Sequence, residues 1–385
     1  MSKSSCLILT ANRILNVRTG KMFSDLGILI QDDKIVNLIN LNSSNLPNCE
    51  ILDLGNVTLL PGLIDAHTHL TYHYDRNGQF GVTNPTIQES LNNTADNAEK
   101  NILAGFTTIR DLGSPNNIIN PIIRKINSGE LIGPTIITSE EPIFPHDISD
   151  HGNRKNEIRN LVHDRIRKGA KVIKVFLDSD QDGNVPLTLD EMETLVQEAH
   201  KNGLKVATHS HDSNAIKIAI LGGTDSLEHG THLNNEDIKL MKSHGTYLVP
   251  TLYLPNHYLQ NKDHFHFEPA AWQFFEDMKK NGIISASKAI RAGIPIVLGT
   301  DNVAGMAGNN GREFKYLIRA GLSPLEAIQS ATINAAKLLG ISNIAEIRPG
   351  YKADIIGIRG NLENPETYNS KNVVFVMKNG DIIKS

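Results

Sequence analysis

Leu59-Leu-Pro-Gly-Leu-Ile-Asp-Ala-His-Thr-His-Leu70 is the stretch on which the reading of the chain turns. It is a short apolar run closed by two histidines one residue apart. Side chains at i and i+2 of a strand point to the same side, so an extended Gly62–His69 presents the His67 and His69 imidazoles to one point in space. That is the geometry a metal ion asks for. His-x-His is weak evidence alone in a chain with 15 histidines, so its meaning depends on what the other strands end in.

From residue 62 to about 300 the same pattern recurs: a short apolar run, then a polar segment of helical period. Such alternation signals repeated βα units and a parallel sheet. The expected strands are Leu63–His69, Thr107–Asp111, Thr135–Thr138, Val172–Phe176, Lys205–His209, Ser226–His229, Tyr247–Thr251 and Pro295–Gly299. A helix over Thr188–Asn202 carries a capping box, Thr188 with Glu191, and stops at Gly203. Eight strands with interleaved helices predict an α/β fold of the (β/α)8 TIM-like barrel type. A doubly wound open sheet is the alternative, but no Gly-x-Gly-x-x-Gly follows an early strand.

Outside the barrel pattern, residues 6 to about 60 read as strands with tight turns. Two helices, Gly311–Ala320 and Ser323–Leu339, then lead to β-pattern at Ala353–Ile358 and Val373–Met377 with an Asn379-Gly380 hairpin. Because a lone hairpin is marginal in water, the two ends are expected to pair. The expected division is a small β-sandwich domain from 1–60 plus 345–385, and a barrel over 61–344.

Composition narrows the function class. With 385 residues, 39% hydrophobic, 21% charged and a formal charge of -4, the chain has the make-up of a globular enzyme and lacks the basic clusters of a nucleic-acid partner. Cys6-Leu-Ile-Leu9 is too short for a signal core or a membrane span, so the expectation is a cytoplasmic protein without membrane partners. Cys6 and Cys49 form no Cys-x-x-Cys pattern and read as buried free thiols.

Chemistry in a barrel of this kind sits where the strands end. Here the first ends in His67 and His69, the fourth carries Lys174, the fifth ends in His209, the sixth in His229, and the eighth runs into Asp301. All are metal-ligand or carbamate-forming side chains. With Gly105-Phe-Thr-Thr-Ile-Arg-Asp-Leu-Gly113, Gly169-Ala-Lys-Val-Ile-Lys174, Ala207-Thr-His-Ser-His211, Ser226-Leu-Glu-His-Gly230, Gly299-Thr-Asp301, Ser323-Pro-Leu-Glu-Ala-Ile328 and Pro349-Gly-Tyr-Lys-Ala-Asp354, the chain resembles the amidohydrolase superfamily. The likeness is to its binuclear, carboxylated-lysine members, in the imidazolonepropionase-like and Xaa-Pro dipeptidase-like branch.

The resemblance implies that His67, His69 and Asp301 hold one divalent ion, His209 and His229 another, and a carboxylated Lys174 bridges both, with zinc the expected metal. It further implies that a metal-bridging hydroxide attacks a carbonyl while Asp301 handles the proton. The product is hydrolysis of an amide-type C–N bond in a small N-acyl amino acid or dipeptide-like molecule. The same parts suit a lactone or phosphotriester. A mononuclear deaminase or imidazolone-type hydrolase is the alternative on this barrel, and a non-catalytic scaffold would be expected to have lost ligands.

Three further residues are candidates for contact with substrate. His211 alternates onto the same face as His209, and by position His209 is assigned to metal and His211 to substrate. His146 lies on the loop after strand three, and Tyr253 lies at the mouth. The cluster His257, His264, His266, Phe265, Phe267 and Trp272 reads as a lid or a homo-oligomer surface. The loop Phe176-Leu-Asp-Ser-Asp-Gln-Asp-Gly183 is acidic and would repel an anionic substrate group unless turned outward.

Overall fold

Short runs rich in Val, Ile and Thr, each followed by a helix-periodic segment, fold as parallel strands with helices between them. In the computed structural model, which describes residues 6–72, 86–114, 117–149, 152–303 and 305–385, Leu63–Thr68, Phe106–Asp111 and Thr135–Thr138 form one parallel sheet. Val172–Phe176, Lys205–Ser210, Ser226–His229 and Tyr247–Val249 form a second. Leu63–Thr68 and Phe106–Asp111 are buried along their whole length, as strands covered on both faces must be.

Residues 295–299 do not form the regular strand expected of them. Pro295 has no N–H to give a ladder. The segment nevertheless bonds to strands on either side: Val297 N donates to Leu248 O at 3.0 Å, and Ala66 N donates to Leu298 O at 2.9 Å. At the other seam Ile143 N donates to Lys174 O at 2.8 Å, and Ile143 O accepts from Phe176 N at 3.0 Å. Gly299 is needed where the segment passes His67, because a Cβ there would lie 2.8 Å from the His67 Cβ.

The helix Leu189–Lys201 has the expected capping box from Thr188 and Glu191. The stretch Ser323–Leu339, expected as one helix, is two: Pro324–Ser330 and Ile333–Leu339. The break has a use. It frees Ser330 O for Leu298 N (3.0 Å) and Ala331 O for Ile64 N (2.7 Å), so the helical segment grips two barrel-type strands by their backbones.

The chain ends meet in one sheet. Its six strands, in spatial order, are Asp381–Lys384, Val373–Lys378, Ile355–Ile358, Thr58–Pro61, Arg13–Leu15 and Met22–Phe23. Asn379 and Gly380 both take positive φ, 48° and 84°, the conformation that a two-residue hairpin with right-handed strand twist requires. A four-stranded sheet of Lys34–Asn40, Leu26–Gln31, Cys6–Thr10 and Glu50–Asp53 lies at the N-terminal end. Leu9, Ile28, Ile30, Ile355, Phe375 and Met377 from the two sheets share one buried apolar cluster.

The cysteines are not free thiols, which corrects the sequence expectation. Cys6 and Cys49 are disulfide-bonded, with Cα atoms 5.1 Å apart. Cys6–Thr10 runs parallel to Glu50–Asp53 with Leu7 opposite Glu50, so residues 6 and 49 stand side by side one step before the ladder. Such bonds are rare in reducing compartments, which weighs against the cytoplasmic expectation. Among the described residues, no helix is long and apolar enough to cross a membrane.

Candidate metal centre

The carboxyl ends of the parallel strands bring five histidines, Lys174 and Asp301 around one cavity. Three of the positions that make this possible are strained: His229, Thr251 and Asp301 hold φ of 68°, 49° and 53°. The left-handed region is unfavourable for these residues, β-branched Thr251 above all, and such outliers persist where the surroundings over-determine them.

Asp65 supplies part of that determination. Its carboxylate accepts from Thr300 Oγ1 at 2.5 Å, Asn310 Nδ2 at 2.7 Å and the backbone N of His67 and Thr300, both at 3.1 Å. It thus ties the segment before Asp301 to the strand that carries His67. Burial pushes the Asp65 pKa up to about 6 against these four bonds.

Two groups of donors result. His67, His69 and Asp301 offer ligand atoms that all lie within 4.8 Å of one another, and so do His209, His211 and His229. Asp301 Oδ1 sits 3.3 Å from His69 Nε2 and 3.5 Å from His67 Nε2. Burial works against ionising Asp301, but His67, His69 and Lys174 outweigh it and hold its carboxyl well below the usual carboxylate range. Burial also pushes the pKa of His67 down to about 4, that of His211 down to about 3, and that of His229 well below the ordinary value. These three rings are therefore neutral at pH 7, the form that binds a metal.

Lys174 lies in the middle of Val172–Phe176, is 1% exposed, and its Nζ has no hydrogen-bond partner among the described residues. Burial drives its pKa down to about 8, against the pull of Glu228 and Asp301. A buried ammonium with nothing to donate to is costly. An amine without a hydrogen-bond partner among the described residues, beside two groups of three donors, fits a metal centre.

Sequence reasoning missed the groups that aim these ligands. His67 Nδ1 donates to Glu228 Oε2 at 2.8 Å, and Glu228 Oε1 accepts from Arg110 Nη2 at 2.8 Å and Ser226 Oγ at 2.5 Å. Burial opposes the Glu228 charge, but Arg110 and His67 hold its pKa down at about 2. His229 Nδ1 meets Thr251 Oγ1, and His211 Nδ1 meets Thr231 Oγ1, both at 2.7 Å. His69 Nδ1 donates to Gly113 O at 3.3 Å. The acidic loop after Val172–Phe176 turns one carboxylate inward: Asp178 Oδ2 accepts from His209 Nε2 at 2.8 Å. Arg110 and Glu228 lie within the motif stretches Gly105–Gly113 and Ser226–Gly230, whereas nothing local marked Asp178 as a partner.

The cavity measures about 460 Å³ and is walled on its outer side by Phe144, Phe176, Tyr258, Phe267, Phe274 and Phe275. His211 lines it. His146 and Tyr253 do not. The His146 side chain is 78% exposed and stacks on Phe144 at 5.2 Å, while Asp150 and His151 of the same loop lie outside the described residues. Tyr253 is buried and faces a separate polar cavity with Arg312 and Lys315, because the helix Tyr253–Gln260 turns Leu254 and Tyr258 toward the strand ends instead. The segment read as a lid or oligomer surface supplies Phe267 to the wall, packed on Tyr258 at 5.2 Å and Phe275 at 5.3 Å.

Residues 58–383 match the model of the amidohydrolase family. Ochratoxinase of Aspergillus niger is 26% identical over 92% of this chain and 82% of its own. Imidazolonepropionase of Kosmotoga olearia is 22% identical over 96% of this chain and 92% of its own. A solved structure of a Xaa-Pro dipeptidase with bound methionine superposes with a TM-score of 0.90 at 28% identity, covering 99% of this chain and 100% of the other.

Proposed function

As the chain belongs to the amidohydrolase family and is a hydrolase acting on carbon–nitrogen bonds, we propose that it is a binuclear metal-dependent hydrolase of a small N-acyl amino acid or dipeptide-like amide. His67, His69 and Asp301 would hold the inner ion, His209 and His229 the outer one, with a carboxylated Lys174 joining them. Two zinc ions would supply an acidified water and polarisation of the scissile carbonyl. The observation that carries this reading is Lys174: buried, without a hydrogen-bond partner among the described residues, and lining the cavity shared by both donor groups.

The protein's own groups do the rest. Asp301 takes a proton from the attacking water and returns it to the departing nitrogen, since its carboxylate lies within 3.5 Å of Nε2 of both histidines of the first strand. Glu228 and Arg110 keep His67 in one tautomer. His211 contacts the substrate beside the reacting carbonyl. The aromatic wall takes the apolar part of the molecule and excludes water from the strand ends. A substrate with a bulky aromatic or aliphatic group on one side of the amide fits this cavity better than a small polar dipeptide.

Architecture supports the placement. The two parallel sheets and residues 295–299 are read as one eight-stranded barrel over 61–344, joined through the Ile143 and Leu298 seams. The sheets at 1–60 and 345–385 are read as a flanking β-sandwich.

Metal analysis and a single substitution test the proposal. Freshly purified protein should contain two divalent ions per chain. Lys174→Ala should lose activity and one or both ions, and short carboxylic acids should restore part of the activity by standing in for the carbamate. One ion per chain with an active Lys174→Ala variant would sink the bridging scheme.

A further inference from the structure

The five histidines of the site are not held alike. His67, His69, His211 and His229 are each held through Nδ1, which leaves Nε2 for a ligand. His209 is held through Nε2, by Asp178 Oδ2 at 2.8 Å. An ionised carboxylate can only accept, so Nε2 of His209 carries a proton, and in the neutral ring the lone pair lies on Nδ1. The other oxygen of Asp178 accepts from the backbone N of His211 at 2.7 Å. The next residue doubles the link: Ser179 N and Oγ both donate to Asp212 at 2.8 Å. Four hydrogen bonds thus lock the loop after Val172–Phe176 onto the end of Lys205–Ser210, and Asp178 is fixed before any metal arrives.

We propose that Asp178 is the positioning residue of the outer metal site: it fixes the Nε2–H tautomer of His209, so that His209 binds the outer ion through Nδ1 while His229 binds it through Nε2. The assignment rests on the metal-centre reading above and deepens it. It also explains how two histidines at alternate positions of one strand end take different parts. Asp178 commits His209 to metal, and Thr231 holds His211 with Nε2 toward the cavity and its substrate. A carboxylate behind a metal-binding imidazole orients the ring and raises its basicity, and loss of such a partner typically weakens metal binding roughly 10–100-fold.

The test uses the full chain, labelled with nitrogen-15 histidine. In long-range nitrogen–proton spectra of metal-free protein, with His209 assigned from His209→Gln, His209 should show the Nε2-protonated pattern. Asp178→Ala should lose that pattern, and Asp178→Asn, which keeps one acceptor oxygen and turns the other into an amide donor, should retain only part of it. In zinc titrations against a chromophoric chelator, Asp178→Ala should weaken the second ion roughly 10–100-fold and leave the first within about threefold. Asp178→Asn should fall between Asp178→Ala and the unsubstituted protein. Two ions bound with His209 protonated on Nδ1, or unchanged affinity for the second ion in Asp178→Ala, overturns this assignment alone. Fewer than two zinc ions on the unsubstituted protein overturns the metal-centre reading and the assignment with it.

Discussion

Replacing Lys174 by methionine should make the metal-free protein more stable and the metal-loaded protein less so. Methionine keeps the length of the side chain and removes the amine, whose Nζ has no hydrogen-bond partner among the described residues. Burial lowers the lysine pKa from 10.5 to about 8, and at about 1.4 kcal/mol per unit the charged form costs the fold about 3 kcal/mol. The sign follows from linkage. The amine is protonated in both states below about pH 8, so the full cost is present there; it fades as the pH rises through 10.5, above which both states are neutral. At roughly 2.1 cal/mol/K of unfolding entropy per residue over 385 residues, relief of that cost raises the melting temperature by about 4 °C. Calorimetry of protein dialysed free of metal and bicarbonate should show this gain at pH 7 and little difference near pH 10.5. Zinc at a hundred times its dissociation constant adds about 2.7 kcal/mol per tightly held ion, a gain the variant forgoes for any ion that needs the carbamate, so the order should reverse. A metal-free Lys174→Met protein that melts at or below the unsubstituted one would refute the reasoning, because the amine would then have a partner worth keeping.

Glu228→Gln leaves Arg110 buried without its carboxylate and should cost roughly 3–5 kcal/mol in urea unfolding; a loss below 1 kcal/mol would mean the ion pair is not what holds His67. Phe274 is 44% exposed yet lines the cavity 5.0 Å from His211. Phe274→Ala should therefore raise KM for substrates with an aromatic group about fivefold, for roughly 1 kcal/mol of ring contact, with kcat and melting temperature nearly unchanged. An unchanged KM would remove the aromatic wall from substrate recognition. Reduction of Cys6–Cys49, which closes a separation of 43 residues, should lower stability by on the order of 4 kcal/mol if chain entropy in the unfolded state dominates. Melting with and without dithiothreitol, beside a Cys6→Ala, Cys49→Ala control that no longer responds, reads that difference; equal melting curves would contradict it.

What could be read from the chain and what could not divide along a physical line. His67 and His69 share a side because strands have a period of two, a rule that needs no knowledge of the rest of the fold. Lys174, His209, His229 and Asp301 add only the assumption that successive strands are parallel and carry their chemistry at one end. The groups that aim the ligands require more. Glu228 reaches His67 across a separation of 161 residues and Arg110 reaches Glu228 across 118, contacts that exist only once the sheet order and register are set. Cys6 and Cys49 are the same case on a smaller scale, since their pairing follows from the register of two neighbouring parallel strands and from nothing in their spacing. Tyr253 shows the opposite failure. A strand continued to Thr251 would have aimed Tyr253 into the mouth, but the strand ends at Val249, Thr251 takes a left-handed φ, and a helix begins at Tyr253. The strain that puts Thr251 behind His229 is what turns Tyr253 away, so one backbone distortion both completes a ligand's support and removes a residue from the substrate's reach.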